Sequence, residues 1–213
     1  DRYYRPMFNI FCETGLGVDS QLAAQPNGSM LLGFWQSEQY FFHNKLLLTD
    51  LVLKQPLSGK ALDISQSIKA KQSVALHVRR GDYVNNAKAL KRYGLCSVDY
   101  YQKAIAHLSQ HLTDPHFYVF SDDPKWVVEN LSMPGQCTFV SAKDITPEQD
   151  LILISQCKHQ IIANSTFSWW GAWLNSHYDK IVVYPTPWFN EQAINANDLV
   201  PHNWYPIAKN STA

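Results

Sequence analysis

The stretch ALHVRRGDYV (75–84) decides the fold, because it runs from a strand-like segment directly into a polar turn. The preceding and overlapping residues SVALHV (73–78) are mostly apolar and favour a buried strand. Two adjacent arginines, a glycine and an aspartate (79–82) follow at once. A strand that delivers two permanent positive charges to one point indicates a local anion site.

The residues after this strand alternate between strand and helix patterns with short connections. Ser97, Asp123–Pro124 and Thr146–Pro147 are residue types that favour helix starts. Further strands are predicted at 116–121, 137–141, 159–164 and 180–185, and helices at 97–112, 123–131, 146–157 and 165–177. This alternation predicts an α/β fold with a doubly wound, mostly parallel sheet. Such sheets bind ligands beyond the carboxyl ends of their strands.

The first third of the chain is less regular. Residues 30–44 mix aromatic and polar side chains without a clean period, and a helix is predicted only at 59–72. We therefore predict two domains, with residues 1–71 as the remainder of an N-terminal domain and residues 72–213 as a nucleotide-binding domain. Because the opening DRYYRPMF does not begin with Met and has no helix cap or strand start, we expect a segment before it to be missing.

Composition limits the function classes. The 18 basic and 18 acidic residues cancel, so a general electrostatic footprint for nucleic acid is not expected. The four cysteines form no CxxC pair, which favours free thiols in a reducing compartment. No segment approaches the about 18 consecutive apolar residues of a membrane span. The seven Trp and eleven Tyr suit either a well-filled core or a platform for sugar rings.

The end of the first strand is a candidate diphosphate clamp. The planar fork of an arginine binds phosphate with two parallel hydrogen bonds, and Gly81 allows a sharp turn. One alternative is that one arginine pairs with Asp82 while the other is solvated. Another is an adhesion module that uses the Arg-Gly-Asp sequence on a flexible loop.

The second predicted strand ends in FSDDP (120–124). Asp123 is expected to cap the next helix, which leaves Asp122 available to accept hydrogen bonds. A carboxylate there suits the two neighbouring donors of guanine. The two acids are adjacent rather than alternate, so a metal-binding DxD pattern is not expected.

A third polar group lies in ANSTFSWWGAW (163–173), where Asn164, Ser165 and Thr166 begin a helix. The N–H groups and dipole of a helix start favour an anion, although Ser and Thr are also ordinary caps. We expect Asn164 to lie in the pocket, and we expect the tryptophans that follow to pack mainly in the core. Three strand ends thus predict one nucleotide-diphosphate pocket, while no GxGxxG or GxxxxGKS pattern occurs.

The runs HVRRGDYV (77–84), FVSAKDITPEQDLILISQCKHQIIANSTFSWWGAWLN (139–175), GFWQSEQYF (33–41) and DLVPHNWYPI (198–207) resemble the α-1,2-fucosyltransferases of glycosyltransferase family 11. The resemblance implies a GT-B-like fold and an inverting, metal-independent transfer of fucose without a cofactor. GDP-fucose would be the donor, bound by residues 72–213. The 2-hydroxyl of a galactose in a glycan would be the acceptor, with residues 1–71 on the acceptor side.

The resemblance also implies roles for individual residues. His77 and Arg79 would contact guanine and diphosphate, Asp122 would bind guanine, and Ser165 and Thr166 would contact phosphate. A related α-1,6 enzyme group has a glutamate as its base where this chain has Ala87, so that role does not transfer. In catalysis Arg79 would stabilise the negative charge on the departing phosphate, with Arg80 braced against neighbouring acids. Asp82 is the remaining candidate for the base, and proton transfer to the departing phosphate is the alternative.

Two other functions stay open at this point. The chain could transfer a GDP-linked sugar to form a different linkage, or it could be a non-catalytic domain that binds GDP or a glycan. The expected location is the cytoplasm, with peripheral contact at the inner membrane face as a further option.

Overall fold

The computed structural model describes residues 9–43, 52–140, 143–191, 194 and 196–210, except for the side chain of Asp82. The chain divides into two compact units. One comprises Asp1–Asp50 and Gln192–His202, and the other comprises Leu51–Glu191 and Asn203–Ala213. None of the helices in the described ranges is long and apolar enough to cross a membrane.

The smaller unit contains a two-stranded parallel sheet and short helical turns. Strand β1 (Ile10–Cys12) pairs with β2 (Met30–Leu32), and 3₁₀ turns cover Leu22–Ala24 and Glu38–Tyr40. The Glu13 carboxylate accepts hydrogen bonds from the backbone N–H groups of Phe34 and Trp35 at 2.7 and 3.2 Å. These bonds fix the chain as it leaves β2.

The larger unit is built on a six-stranded sheet. Its strands and helices are, in chain order, α1 (Gly59–Ala70), β3 (Gln72–Val78), α2 (Gly81–Asn85), α3 (Ala87–Tyr93), α4 (Val98–His111), β4 (Pro115–Ser121), α5 (Pro124–Asn130), β5 (Cys137–Phe139), α6 (Pro147–Gln156), β6 (His159–Ile161), α7 (Thr166–Leu174), β7 (Val182–Thr186) and β8 (Tyr205–Ala208). The strand order is β5-β4-β3-β6-β7-β8, and the pairings recorded for this sheet are all parallel. The predicted doubly wound α/β fold is confirmed, and the order is that of a Rossmann-type domain.

Two hydrophobic clusters cover the two faces of this sheet. Alternate residues of β3 divide between them, because successive strand side chains point to opposite faces. Val74, Leu76 and Val78 pack with α4 and α5, while Ala75 packs with α1 and α6. His77 has the same parity as Ala75, which directs its side chain toward the α6 face.

Several local predictions are confirmed and others need correction. Ser97, Asp123 and Thr146 cap α4, α5 and α6 through their side chains. The sequence analysis missed α2, α3 and β8. The first two are short, and β8 contains Pro206, which is tolerated at a sheet edge but weakens a strand pattern.

The observed units divide the chain differently from the predicted boundary at residue 71. Helix α1 belongs to the larger unit, because Ala61, Ile64 and Ile68 are buried in the cluster that also contains Leu153 and Ile154 of α6. Residues 192–202 belong to the smaller unit, where Asp198 accepts a hydrogen bond from the N–H of Val18 at 3.0 Å. The assignment of the two domains to acceptor and donor stays a prediction.

Helices α6 and α7 pack at close range because α7 has a glycine at the contact. A β-carbon added to Gly171 would lie 2.4 Å from Cγ2 and 3.0 Å from Cβ of Ile154. Both helices lead from the carboxyl edge of the sheet to its amino edge, so they run in the same direction. The contact therefore also fixes their register.

The variant Gly171→Ala should lower the free energy of unfolding by about 1–3 kcal/mol, because the methyl group overpacks this contact. Urea denaturation followed by circular dichroism measures the change. Gly15→Ala is the control, since a β-carbon there meets no atom within 4 Å. Equal stability of the two variants would contradict the assigned packing.

Candidate active site

Three predicted strand ends lie side by side in the structure. Strand β3 pairs with β4 on one side and with β6 on the other. Their carboxyl ends lead to Arg79, to Asp122 and to the Ser165–Thr166 turn. The chain connections also reverse direction between β3 and β6, which is the position where sheets of this type bind ligands.

Arg79 and Asp122 form an ion pair at this edge. The Nη1 atom of Arg79 lies 3.2 Å from Oδ2 of Asp122, and the two side chains are 37% and 25% exposed. The other oxygen of Asp122 accepts a hydrogen bond from the backbone N–H of Arg80 at 2.9 Å. Asp122 thus already interacts with both arginine residues.

Arg80 is held within the fold. Its guanidinium lies 4.0 Å from the centroid of the Trp126 ring, and its Nε lies 3.4 Å from Oδ2 of Asp123. Only 17% of the side chain is exposed. The expectation that neighbouring acids brace Arg80 is confirmed, and Arg79 is the more accessible arginine. These contacts also disfavour the flexible loop that an adhesion module would require.

Gly81 permits the close approach of Asp122. A β-carbon at this position would lie 3.1 Å from Oδ2 of Asp122. The glycine begins α2, whose backbone includes Asp82. The Asp82 side chain lies outside the described part of the structure, so its assignment as the base stays a prediction.

His77 is a buried residue beside the same edge. Its ring packs against Phe167 of α7 at 5.7 Å between centroids, and the residue is 7% exposed. Within the described residues, Nδ1 has no hydrogen-bond partner. Burial, together with the positive charge of Arg79, lowers the pKa of His77 from 6.5 to about 3. A neutral imidazole with an available ring nitrogen therefore lies beside the site.

The start of α7 leaves backbone donors available. Ser165 is the N-cap residue, but its side chain makes no capping hydrogen bond. Ser165 is half-buried and Thr166 is exposed. The N–H groups of the first helical turn have no carbonyl partner within the helix, and they carry its positive dipole end. The predicted hydroxyl-rich helix start is therefore present next to the end of β3.

Asn164 does not face this site, and the prediction that it lies in the pocket is wrong. Its side chain is buried, and Nδ2 donates to the carbonyls of Tyr93 at 2.7 Å and Trp188 at 3.1 Å. The buried ammonium of Lys209 also donates to the carbonyls of Tyr93 and Trp188. Asn164 therefore ties together loops from distant parts of the chain.

Asp150 is a candidate that the sequence analysis missed. It lies in the first turn of α6, is partly buried, and its Oδ1 has no hydrogen-bond partner among the described residues. Burial raises its pKa from 3.8 to about 6. Phe167, whose ring packs against His77, lies against the hydrophobic cluster that contains Leu153 and Ile154 of α6.

A sequence signal for Asp150 did exist. Residues 150, 153 and 154 share one helix face, and Leu153 and Ile154 are buried apolar residues. An acid on the buried face of a helix is a candidate for function, whereas Glu148 in the same turn is exposed. Of the three tryptophans of α7, Trp169 is buried and packs against Trp173 and Trp204, whereas Trp170 and Trp173 are only partly buried.

The described residues contain no group of three or more His, Cys, Asp or Glu side chains that could hold a metal ion. The site instead combines an accessible arginine, an uncapped helix start, a buried histidine and a partly buried carboxyl group. This set suits an anionic ligand that carries a polar base, which is the chemistry of a nucleoside diphosphate.

Comparisons with known proteins agree with this class of ligand. The family model for glycosyl transferase family 11 matches residues 20–208. An alpha-1,2-colitosyltransferase of Escherichia coli is 39% identical over 198 residues, which cover 89% of this chain and 68% of the relative. The O-antigen biosynthesis glycosyltransferase WbnK of Escherichia coli is 35% identical, covering 84% of this chain and 60% of the relative. The chain belongs to glycosyl transferase family 11.

More distant matches have the same general character. Galactoside alpha-(1,2)-fucosyltransferase 1 of Rattus norvegicus is 33% identical over half of this chain and 29% of the relative. Among solved structures, ADP-heptose lps heptosyltransferase II of E. coli is 13% identical with a TM-score of 0.39, covering 73% of this chain and 45% of that one. The family 9 glycosyl transferase of Veillonella parvula is 9% identical with a TM-score of 0.41, covering 90% and 56%.

The low pKa of His77 should make stability depend on pH. Between pH 6.5 and about 3 the unfolded chain protonates this histidine more readily than the folded protein does, so the free energy of unfolding falls as the pH falls. The contribution of His77 to the free energy of unfolding should decrease by about 2 kcal/mol between pH 7.5 and 5. Urea denaturation of the wild type and of His77→Asn at both pH values measures it.

The comparison with the variant is necessary because Asp150 acts in the opposite direction. Its raised pKa favours the folded state as the pH falls through about 6. This contribution is present in both proteins and cancels in the difference between them. An equal pH dependence in the wild type and His77→Asn would contradict a neutral, buried His77.

Proposed function

We propose that the protein transfers L-fucose from GDP-fucose to the 2-hydroxyl of a galactoside in a glycan, with inversion at the anomeric carbon. One observation carries the proposal. Arg79 lies at the switch point of the sheet, between the ends of β4 and β6, where it faces the same edge as the uncapped start of α7. Family membership supports the reaction class.

The diphosphate would bind between Arg79 and the start of α7. The guanidinium of Arg79 supplies a permanent charge and directional donors for phosphate oxygens. The first N–H groups of α7 supply further donors, and the hydroxyls of Ser165 and Thr166 add two more. The ligand would thereby satisfy the donors that the fold leaves available at this helix start.

His77 and Asp150 suit the guanine base. Guanine presents two neighbouring donors, N1–H and the exocyclic amine, and two acceptors, O6 and N7. A carboxylate such as that of Asp150 can accept from both donors, and above its pKa of about 6 it is ionised. A neutral imidazole such as that of His77 has one N–H to donate and one nitrogen to accept. The pair therefore complements guanine.

In the proposed reaction the acceptor hydroxyl oxygen bonds to the anomeric carbon from the face opposite the diphosphate. The bond between that carbon and the β-phosphate oxygen breaks, and its electron pair leaves with GDP. Arg79 would stabilise the negative charge that grows on the departing phosphate, in place of a divalent cation. The hydroxyl proton passes either to Asp82, in the first turn of α2, or to an oxygen of the departing phosphate.

A second sugar donor has specific support. The E. coli relative at 39% identity is named as an alpha-1,2-colitosyltransferase. Colitose has the structure of L-fucose without its 3-hydroxyl, so both donors would present the same nucleotide to the residues above. GDP-colitose is therefore the second candidate donor, and parallel assays with both donors and a galactoside acceptor decide between them.

Arg79→Ala should lower turnover of the preferred donor by about 100-fold or more, because it removes the charge that faces the leaving phosphate. Release of GDP measures turnover, and nuclear magnetic resonance of the product identifies the linkage and its anomeric configuration. Lys125→Ala is the control, since Lys125 is an exposed cation in α5 paired only to Glu129 among the interactions described.

The assay separates the remaining alternatives. Turnover close to wild type in Arg79→Ala would contradict the proposed site. Binding of GDP without transfer to any galactoside would favour a non-catalytic domain, and a product linked elsewhere would favour a transferase of different linkage.

Asp150→Asn should weaken the preference for guanine. The amide keeps one acceptor but replaces the other with a donor, which would oppose a donor of the base. We expect the preference for GDP over inosine diphosphate, which lacks the exocyclic amine, to fall about tenfold. Calorimetric titration at pH 7.5 measures both affinities. Glu148→Gln makes the same charge change on the exposed side of the turn, and an equal effect there would contradict the assignment.

A further inference from the structure

We propose that Asp122 is a positioning residue that orients Arg79 toward the phosphate and does not bind the guanine base. The inference rests on the proposed function for the identity of the ligand, but the arrangement of the two side chains can be tested without any ligand. It reassigns a residue that the family resemblance places on the base.

The contacts of Asp122 support this reassignment. One oxygen, Oδ1, accepts the backbone N–H of Arg80 at 2.9 Å, and the other, Oδ2, lies 3.2 Å from Nη1 of Arg79. Binding of guanine would require both oxygens side by side for two donors. Each oxygen already receives a donor from the protein, whereas Oδ1 of Asp150 has none among the described residues.

The carboxylate of Asp122 is itself held by a rigid support. Trp126 and Asp123 hold the side chain of Arg80. The backbone N–H of the same residue donates to Oδ1 of Asp122 and orients the carboxylate. Asp123 in turn caps α5 by accepting the N–H of Trp126 at 3.1 Å. The backbone of Asp123 is also held, since its N–H donates to the Ser121 hydroxyl at 2.9 Å.

Arg79 needs such support more than Arg80 does. Its side chain is 37% exposed, compared with 17% for Arg80. A long, partly exposed arginine side chain samples many rotamers, and most of these rotamers lack the geometry required for transition-state contacts. The ion pair with Asp122 selects one direction for the guanidinium before any phosphate binds.

The backbone at Gly81 leaves little room for another arrangement of the Asp122 carboxylate. A β-carbon at residue 81 would lie 3.1 Å from Oδ2 of Asp122, so the carboxylate could not keep its place without a small shift. The glycine therefore allows the carboxylate to reach Arg79. Gly81→Ala is a second way to disturb the pair without changing any charge.

The two roles predict different kinetic effects. Asp122→Asn removes a negative charge near the phosphate site, which favours binding of the anionic donor, but it releases Arg79 from its fixed direction. A positioning role therefore predicts that kcat falls about tenfold while donor affinity changes by less than about threefold. A role in binding the base predicts a lower GDP affinity and a lower preference for GDP over inosine diphosphate.

The experiment compares the wild type, Asp122→Asn, Gly81→Ala and Glu129→Gln. The last variant is the matched control, because Glu129 belongs to an exposed ion pair in α5 and loses the same charge. The first readout is nitrogen-15 resonance of the Arg79 guanidinium in the free protein, assigned with Arg79→Lys. Restricted rotation of this group is expected in the wild type and the control, and faster rotation in the other two.

The second readout is kcat, donor KM and the preference for GDP over inosine diphosphate. We expect kcat to fall in Asp122→Asn and Gly81→Ala with the base preference unchanged, and we expect Asp122→Asn to add no further loss to Arg79→Lys. A freely rotating Arg79 guanidinium in the wild type would overturn the inference, as would loss of base preference in Asp122→Asn. If the wild type binds no GDP, the proposed function fails, while the guanidinium readout still decides whether Asp122 positions Arg79.

Discussion

The parallel pairing of β3 with strands on both sides is the constraint on which the site depends. Because β4, β3 and β6 are neighbours and run in the same direction, the residues that follow them must emerge at one edge. Arg79, Asp122 and the start of α7 are about 40 residues apart in the chain, yet no loop has to fold back to bring them together. The site is a consequence of strand order, and its charged residues are supported by the sheet itself.

Much of this arrangement could be predicted from the sequence. The strand ends carry unusual polar runs, and a parallel sheet places those ends together, so the predicted pocket follows from pattern and topology. Arg80 and Asp123 were also assigned correctly, because adjacent opposite charges and an Asp-Pro helix start have strong local preferences. The order of the strands could not be predicted in this way, because a local pattern contains no information about which strands pair with each other.

The residues that escaped prediction are those whose environment comes from distant segments. Asn164 resembles a turn residue in sequence, but carbonyls at positions 93 and 188 surround its amide. Asp150 resembles an ordinary first-turn acid that favours the helix dipole. The structure adds that Asp150 is partly removed from water, which raises its pKa to about 6.

Burial and charge divide the candidate residues into two groups with different chemistry. Arg79 and the start of α7 keep positive charge at the accessible edge, where a diphosphate needs it. His77 is buried and Asp150 is partly buried, and burial favours the neutral form of each, lowering the pKa of His77 and raising that of Asp150. A polar base can offset the cost of these buried groups by supplying the hydrogen bonds that the protein does not. Selectivity for the base would then come from the buried pair, and stabilisation of the leaving phosphate from the exposed arginine. Neither task involves the sugar, so a site of this kind is compatible with relatives that are named for the transfer of different sugars.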